Sequence, residues 1–398
     1  MNLYDRFSHA NILLSAFLFS ICLSAQSADL LTEKQRFVIK DFKTTSGVVL
    51  PEVQVGWESY GKLNANKDNV IVISHYLAGT SHAAGKYSPD DKRAGYWDYI
   101  IGPGKAVDTD KFFVISTDSL SNAQTKNPKV FTTGPFSIDP STGRPYGTKF
   151  PVVTVRDFVN TQYALLKSLG VTKIHATMGA SMGSHQSLEW ANAYPDMVER
   201  VISVIGAGEA NVWSKADIGR WANEIQNDPN WNNGDYYDGP YPIDGITRAM
   251  WGMLFSVYHG HFLDQKLKTS IDKDRGPWED ITAKFEVTTW LEKIAASRAS
   301  VFDPNAILYL ARSCQLWRLG HGDSLAEGIK PIKAKILLLP AKHDEILGSY
   351  MTKQFYNALL MQNKRVQYEE IVGPWGHMDG IYAIGTKTKE IEAFLNTD

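Results

Sequence analysis

Ile174-His175-Ala176-Thr177-Met178-Gly179-Ala180-Ser181-Met182-Gly183-Ser184 is a short apolar run that passes directly into a Gly-x-Ser-x-Gly turn, and helical patterning follows it to Tyr194. The run from Ile174 to Thr177 predicts a strand buried on both faces, and Ser184 to Tyr194 predicts the crossover helix behind it. A serine at the apex of such a strand-turn-helix stands above the sheet edge in a strained conformation, and the small residues at 179 and 183 leave room for the backbone. The Met182 N–H, at the start of the helix, is aimed where a tetrahedral intermediate would develop its negative oxygen. Ser181 is therefore the candidate nucleophile.

Working outward, Val70 to Ile73, Phe112 to Ile115, Val201 to Ile205 and Ile336 to Leu339 are apolar runs of the same kind, bounded by turn residues. Between them, Val155 to Leu169 places Phe158, Val159, Tyr163, Leu165, Leu166 and Leu169 largely on one helical face. The alternation predicts an α/β protein with a mostly parallel sheet and helices on both sides. Phe37 to Phe42 and Val48 to Trp57, around the turn at 44–47, predict an edge hairpin. Residues 208–325 break the alternation: Trp213, Trp221, Trp231, Trp251, Trp278, Trp290 and Trp317 lie among helical segments at 214–226, 246–258 and 278–300. This interval predicts an inserted helical cap, leaving residues 28–207 and 326–398 as the core. The Gly/Pro-rich stretch 133–151 is expected to be a long loop that carries function or packs a site.

The chain has 398 residues, 43% of them hydrophobic, and 41 basic against 43 acidic residues. That balance gives no electrostatic reason for a nucleic acid or an anionic membrane as partner. The two cysteines, Cys22 and Cys314, make neither a disulfide framework nor a Cys-rich zinc site. Residues 1–27 carry Arg6, an apolar run from Ile12 to Leu23 and then Ser24-Ala25-Gln26-Ser27, the order of a secretory signal peptide cleaved after Ser27. The run is too short to span a bilayer, and Ile21 is too large for a lipoprotein signal before Cys22. The mature protein is thus expected in the periplasm or outside the cell, free of the membrane, with Cys314 as a lone thiol.

A serine nucleophile needs a histidine base, and the histidine a carboxylate to hold its tautomer. Asp344 follows the run Ile336 to Leu339, and His377 follows an extended segment, Val366 to Val372. The order Ser181, Asp344, His377, each just past a strand, is that of the α/β-hydrolase arrangement. Glu345 is the rival carboxylate, and His343, His185 and His321 are the rival bases. His343 sits beside the acid and does not easily face it, while His185, one turn up the nucleophile helix, suits a pocket wall. His82, His259 and His261 could line the pocket, but loop or core roles suit each of them better. His259-Gly260-His261 resembles a metal pair but has no supporting carboxylates, and the glycines at 102 and 104 fit no nucleotide-binding loop, so no metal or cofactor is expected.

Ser74 to His82, Gly95 to Asp110, Gly134-Pro135, Pro140 to Gly147, Phe150 to Asp157 and the nucleophile block resemble the corresponding blocks of homoserine O-acetyltransferases. The resemblance covers nearly all of the mature chain. It implies that Leu77 supplies the second oxyanion-hole N–H, beside that of Met182, and it allows a homodimer. The family carries an arginine that binds the homoserine carboxylate, but the matching position here is Ala222. Arg220, two residues earlier, is turned away by about 200°. The family's aspartate after the catalytic histidine, which binds the amino group, is replaced by Met378, with Asp379 one later. Ala180 and Ser184 stand where glycines are usual. With both anchors displaced and the hydrolytic residues intact, the sequence predicts an exported serine esterase acting on small carboxylic esters through an acyl-Ser181 intermediate. The alternative is an acyltransferase moving acetyl from acetyl-CoA to a small hydroxyl acceptor. A pure binding protein would have no reason to keep three spaced catalytic residues.

Overall fold

The structure, a computed structural model, describes residues 30–267 and 276–397. The expected leader, with Cys22, lies outside the described residues. Eight strands form the central sheet: β1 (Gln35–Lys43), β2 (Val49–Tyr60), β3 (Val70–Ser74), β4 (Phe113–Thr117), β5 (Ala176–Ala180), β6 (Arg200–Val204), β7 (Lys335–Leu339) and β8 (Val366–Tyr368). Their spatial order is β1-β2-β4-β3-β5-β6-β7-β8. The edge hairpin is antiparallel, as is β2 against β4, and every later pairing is parallel.

Alternate side chains of the parallel strands feed two cores, as the period of two requires. Ile71, Ile73, Met178, Ile202 and Leu337 point to one face, and Val70, Val72, Val201 and Leu338 to the other. Helices α1 (Val155–Ser168), α2 (Met182–Ala193) and α10 (Ser349–Met361) bury residues such as Val159, Leu188 and Phe355 against the second face. Thr154 and Asp157 form a capping box at the start of α1, a device worth about 1 kcal/mol. Asp157 also accepts the Thr45 N–H at 2.7 Å, which ties the β1–β2 turn to that helix.

Between β6 and β7 the described residues contribute no strand to the sheet. They form α3 (Val212–Gln226), α4 (Ile243–Val257), α5 (Gly260–Lys266), α6 (Gly276–Glu279), α7 (Glu286–Ala299), α8 (Pro304–Gln315) and α9 (Leu325–Ile329). Ile218, Trp221, Leu254, Leu291 and Ile307 from these helices join the first-face core above the carboxyl ends of the strands. The C-terminal α11 (Asp379–Tyr382) and α12 (Thr388–Asn396) join the same core through Ile381, Ile391 and Phe394. Among the described residues no helix is long and apolar enough to cross a membrane.

Several boundaries differ from the sequence expectation. The nucleophile strand runs from Ala176 to Ala180, so strand and helix meet at Ser181 with nothing between. Ile174 makes only an isolated bridge to Val198. Phe112 stays outside β4 and stacks on His175, and β8 covers only 366–368 of the extended segment. The helix expected over 278–300 is two, because the Asp280 carboxylate takes the Thr282 N–H at 2.8 Å and its hydroxyl at 2.7 Å, turning the chain out of the helix. Residues 133–151 are mostly loop, with one short pairing of Ile138–Asp139 with Arg144–Pro145.

Candidate active site

Ser181 occupies the junction of β5 and α2 with φ 56° and ψ −119°, a region that a side chain enters only under constraint. The flanking glycines explain why the chain can pass there. A Cβ on Gly183 would lie 2.0 Å from the Ser74 carbonyl oxygen, and one on Gly179 would lie 2.3 Å from the Gly183 carbonyl oxygen. The Ser181 N–H donates to the Val204 carbonyl at 2.9 Å, fixing the turn to the neighbouring strand. Ala180 is accommodated in the core, and the Ser184 hydroxyl bonds that of Ser203 at 2.7 Å.

Three loops at the carboxyl ends of strands bring the expected residues together. His377 Nε2 lies 2.9 Å from Ser181 Oγ, and His377 Nδ1 lies 2.7 Å from Asp344 Oδ2. Asp344 Oδ1 accepts the N–H groups of Ile346 and Leu347, both at 2.9 Å. With Oδ1 taken up by two backbone donors, Oδ2 accepts from His377 Nδ1, so Nε2 faces the hydroxyl as an acceptor. The rivals sit elsewhere. Glu345 is not in the contact. His343 stacks on His259, and its imidazole is held below its usual pKa by partial burial and by the charge of that neighbour. His321 packs edge-on to Trp317, 3.8 Å from Glu189.

Leu77 lines the same cavity as Ser181, Met182 begins α2 directly after it, and among the described residues neither N–H donates to another protein group. The segment carrying Leu77 is fixed by a buried histidine that sequence reading did not single out. Ser119 N–H donates to His75 Nε2 at 3.0 Å, so Nδ1 is the protonated nitrogen and donates to the Tyr76 carbonyl at 2.7 Å. Burial holds that ring neutral by lowering its pKa.

Just beyond, Ser81 anchors the loop to a buried charged cluster. The Ser81 hydroxyl donates to Glu58 at 2.7 Å and its N–H to Asp118 at 2.8 Å. Lys34 bridges the two carboxylates at 3.0 and 3.1 Å, and His82 Nδ1 lies 2.9 Å from Glu58. Burial alone would push the Glu58 carboxyl up; the His82 hydrogen bond and the Lys34 charge hold it at about 2. His82 is thus part of the support, not of the pocket.

Above Ser181 opens a cavity enclosing about 810 Å³ of empty space, its open mouth included. Its walls are largely aliphatic: Ile205, Ile218, Leu254, Val257, Ile346, Leu347, Met378 and Ile381. Among the described residues, Trp221 is the only tryptophan of the helical insert in the lining, and no residue of 133–151 reaches it. Cys314 lines it as a buried thiol whose pKa burial raises to about 12, an unreactive state. His185 also lines it, stacked on Trp317 at 4.7 Å. Both His185 ring nitrogens are buried without a hydrogen-bond partner, and burial lowers the ring's pKa to about 3.

Arg220 does not line the cavity, to which α3 turns Ser214, Ile218 and Trp221. It donates to Asp217 at 2.7 Å and to the Ser256 hydroxyl at 2.8 Å. Ala222 does not line the cavity either. Asp379 is fully buried and accepts the Trp375 N–H at 3.1 Å, bracing the turn that carries His377. Among the described residues no three His, Cys, Asp or Glu side chains group as metal ligands. His261 instead contacts Gln265 at 2.9 Å.

The sheet order and this site define an α/β-hydrolase-fold enzyme, and a family model described as "alpha/beta hydrolase fold" matches residues 69–383. Homoserine O-acetyltransferases are similar over most of the chain. That of Methanococcoides burtonii is 34% identical, covering 94% of this chain and 75% of the relative. That of Deferribacter desulfuricans is 38% identical, covering 89% and 93%. The chain belongs to the homoserine O-acetyltransferase-like family of the α/β-hydrolase superfamily. Among solved structures, esterase E22 is similar with a TM-score of 0.89 and 44% identity over 92% of this chain and 100% of that one. The homoserine O-acetyltransferase from Bacillus anthracis has a TM-score of 0.89 and 35% identity over 92% and 98%. The names of the curated relatives favour the acyltransferase alternative over the esterase expectation; the esterase structure is the more identical of these two folds.

Proposed function

We propose that the chain is a serine esterase that passes the acyl group of a small carboxylic ester to water. Ser181 Oγ attacks the carbonyl while His377 Nε2 takes its proton, and the leaving alkoxide departs with that proton. Water then attacks the acyl-Ser181 carbonyl, again giving a proton to His377, and the acid leaves as Ser181 is restored. The N–H groups of Leu77 and Met182 stabilise the oxyanion at both stages, and the Asp344 carboxylate stabilises the imidazolium.

The observation that carries the choice of acceptor is that no aspartate or glutamate lines the cavity among the described residues. A homoserine ammonium entering that apolar space would lose its hydration with no carboxylate to replace it, at a cost of several kcal/mol. A signal peptide at 1–27 agrees with this reading, since an exported enzyme is separated from cytoplasmic CoA thioesters. The second reading, acetyl transfer from acetyl-CoA to a small hydroxyl acceptor, is favoured by the homoserine O-acetyltransferases among its relatives.

Incubation with p-nitrophenyl acetate tests the reading. Sustained release of both nitrophenolate and acetate without CoA is expected, with a transient acetyl group on the peptide containing Ser181. A stable acetyl-enzyme that turns over only when an alcohol is added would overturn it.

A further inference from the structure

Among the described residues, the cavity lining carries one positive charge and no negative one. Its polar side chains are those of Tyr76, Ser181, His185, Ser214, Trp221, Arg298 and His377, with the neutral thiol of Cys314. Arg298, on α7, is half-buried, and its guanidinium makes no hydrogen bond or ion pair with any described residue. The other described arginines of the helical insert all have partners. Arg220 bonds Asp217, Arg248 bonds Glu224, Arg318 bonds Glu209 and Arg312 bonds Gln315. A guanidinium has five donors in a planar fork and stays charged at every accessible pH, so one withdrawn into an apolar wall without an acceptor leaves a large interaction unmade. Its charge reaches Tyr76, whose ring borders the same cavity next to Leu77.

We infer that Arg298 is the anchor for a carboxylate on the ester substrate, so that the enzyme selects an ester bearing a negative charge and no ammonium group. This rests on the esterase reading and names its substrate class. A carboxylate presents two oxygens that match the fork and form charge-assisted hydrogen bonds. The missing acidic residue makes the same site reject a zwitterion. The carboxylate can belong to the alcohol or to the acyl half of the ester, and the two are separable by experiment.

The alcohol arm compares 4-acetoxybutanoate with neutral butyl acetate and with zwitterionic O-acetylhomoserine. The acyl arm compares p-nitrophenyl hydrogen adipate with its methyl ester. In one arm kcat/KM for the anion should exceed that for its neutral partner by about tenfold or more, and O-acetylhomoserine should trail 4-acetoxybutanoate. Arg298→Gln should bring the anion-to-neutral ratio to about one, while Arg298→Lys keeps part of it. A wild-type ratio of one or less in both arms would overturn the assignment, as would a preference that survives Arg298→Gln. The nitrophenolate burst in the acyl arm, and the first equivalent of released alcohol in the alcohol arm, report acylation of Ser181 whatever later accepts the acyl group. The ratio is therefore read even if water is not the acceptor, and uncharged p-nitrophenyl acetate tests the esterase reading separately.

Discussion

The loops at the sheet edge and the helices above them treat polar groups in opposite ways. At the sheet edge, Asp344 is held by two backbone N–H groups and His377, His75 is bonded at both nitrogens, and Glu58 and Asp118 share Lys34 with the Ser81 loop. Around the cavity, among the described residues, His185 has no partner at either nitrogen, the Trp221 indole N–H is unbonded, and the Arg298 guanidinium has no hydrogen-bond or ion-pair partner. The first region is preorganised, so its hydrogen bonds cost nothing to arrange during reaction. The second has left its polar groups for a ligand to complete. Chemistry and substrate choice are thus assigned to different parts of the chain, and substitutions in each should fail differently.

The largest effect should come from the preorganised side. Ser181→Ala or His377→Ala should each lower kcat on the order of 10⁴-fold or more, because triad members act as a unit. Melting temperature should stay close to wild type. Ser181→Ala should also lose labelling by a fluorophosphonate, whereas His343→Ala, outside the hydrogen-bonded set, should be mild. Equal damage from His343→Ala with a tolerant His377 would reassign the base.

The support beneath the oxyanion loop should fail as stability. Glu58→Gln leaves the Lys34 ammonium beside a neutral amide in a site where both side chains are nearly inaccessible. Breaking such a buried pair costs about 3–5 kcal/mol, measurable as a lowered urea midpoint. The sign with pH follows from the depressed carboxyl. Its folded pKa of about 2 lies below the ordinary value of 4.5. Its stabilisation is therefore complete above that ordinary value and is lost as pH falls toward 2. Glu58→Gln should flatten this acid limb, and an unchanged acid profile would mean that the cluster is not what holds the loop.

The cavity side should show a smaller effect, in selectivity. Ile218→Ala widens the chamber without touching the triad, and should raise the preference for longer over acetyl esters by a few-fold to about tenfold, since one methylene in an apolar pocket is worth little more. A collapse of kcat with no change in chain-length preference would place Ile218 in the support instead.

This division also decides what the sequence makes legible. Gly179, Ser181 and Gly183 are readable because the elbow is local: five residues fix both the turn and the need for glycine. The parallel strands are readable because burial on both faces leaves uninterrupted apolar runs. Asp344 and His377 follow from their order past such runs. Lys34, Glu58 and Asp118 come from three distant segments, and each reads as an ordinary surface charge until the sheet brings them together. Arg298 is equally silent, since an arginine in an amphipathic helix is ordinarily solvated and only the seating of α7 over the cavity makes it exceptional. The break between α6 and α7 did carry a local signal, in Asp280 followed two residues later by Thr282, but the helical periodicity on either side masks it.

Partitioning of the acyl group tests the central claim most directly. With p-nitrophenyl acetate as donor and homoserine added at increasing concentration, acetate and O-acetylhomoserine can be counted together. A second series uses acetyl-CoA as the donor. The account predicts acetate as the product throughout, no rate increase from homoserine and no requirement for CoA. Saturable transfer from acetyl-CoA to homoserine, faster than ester hydrolysis, would contradict it.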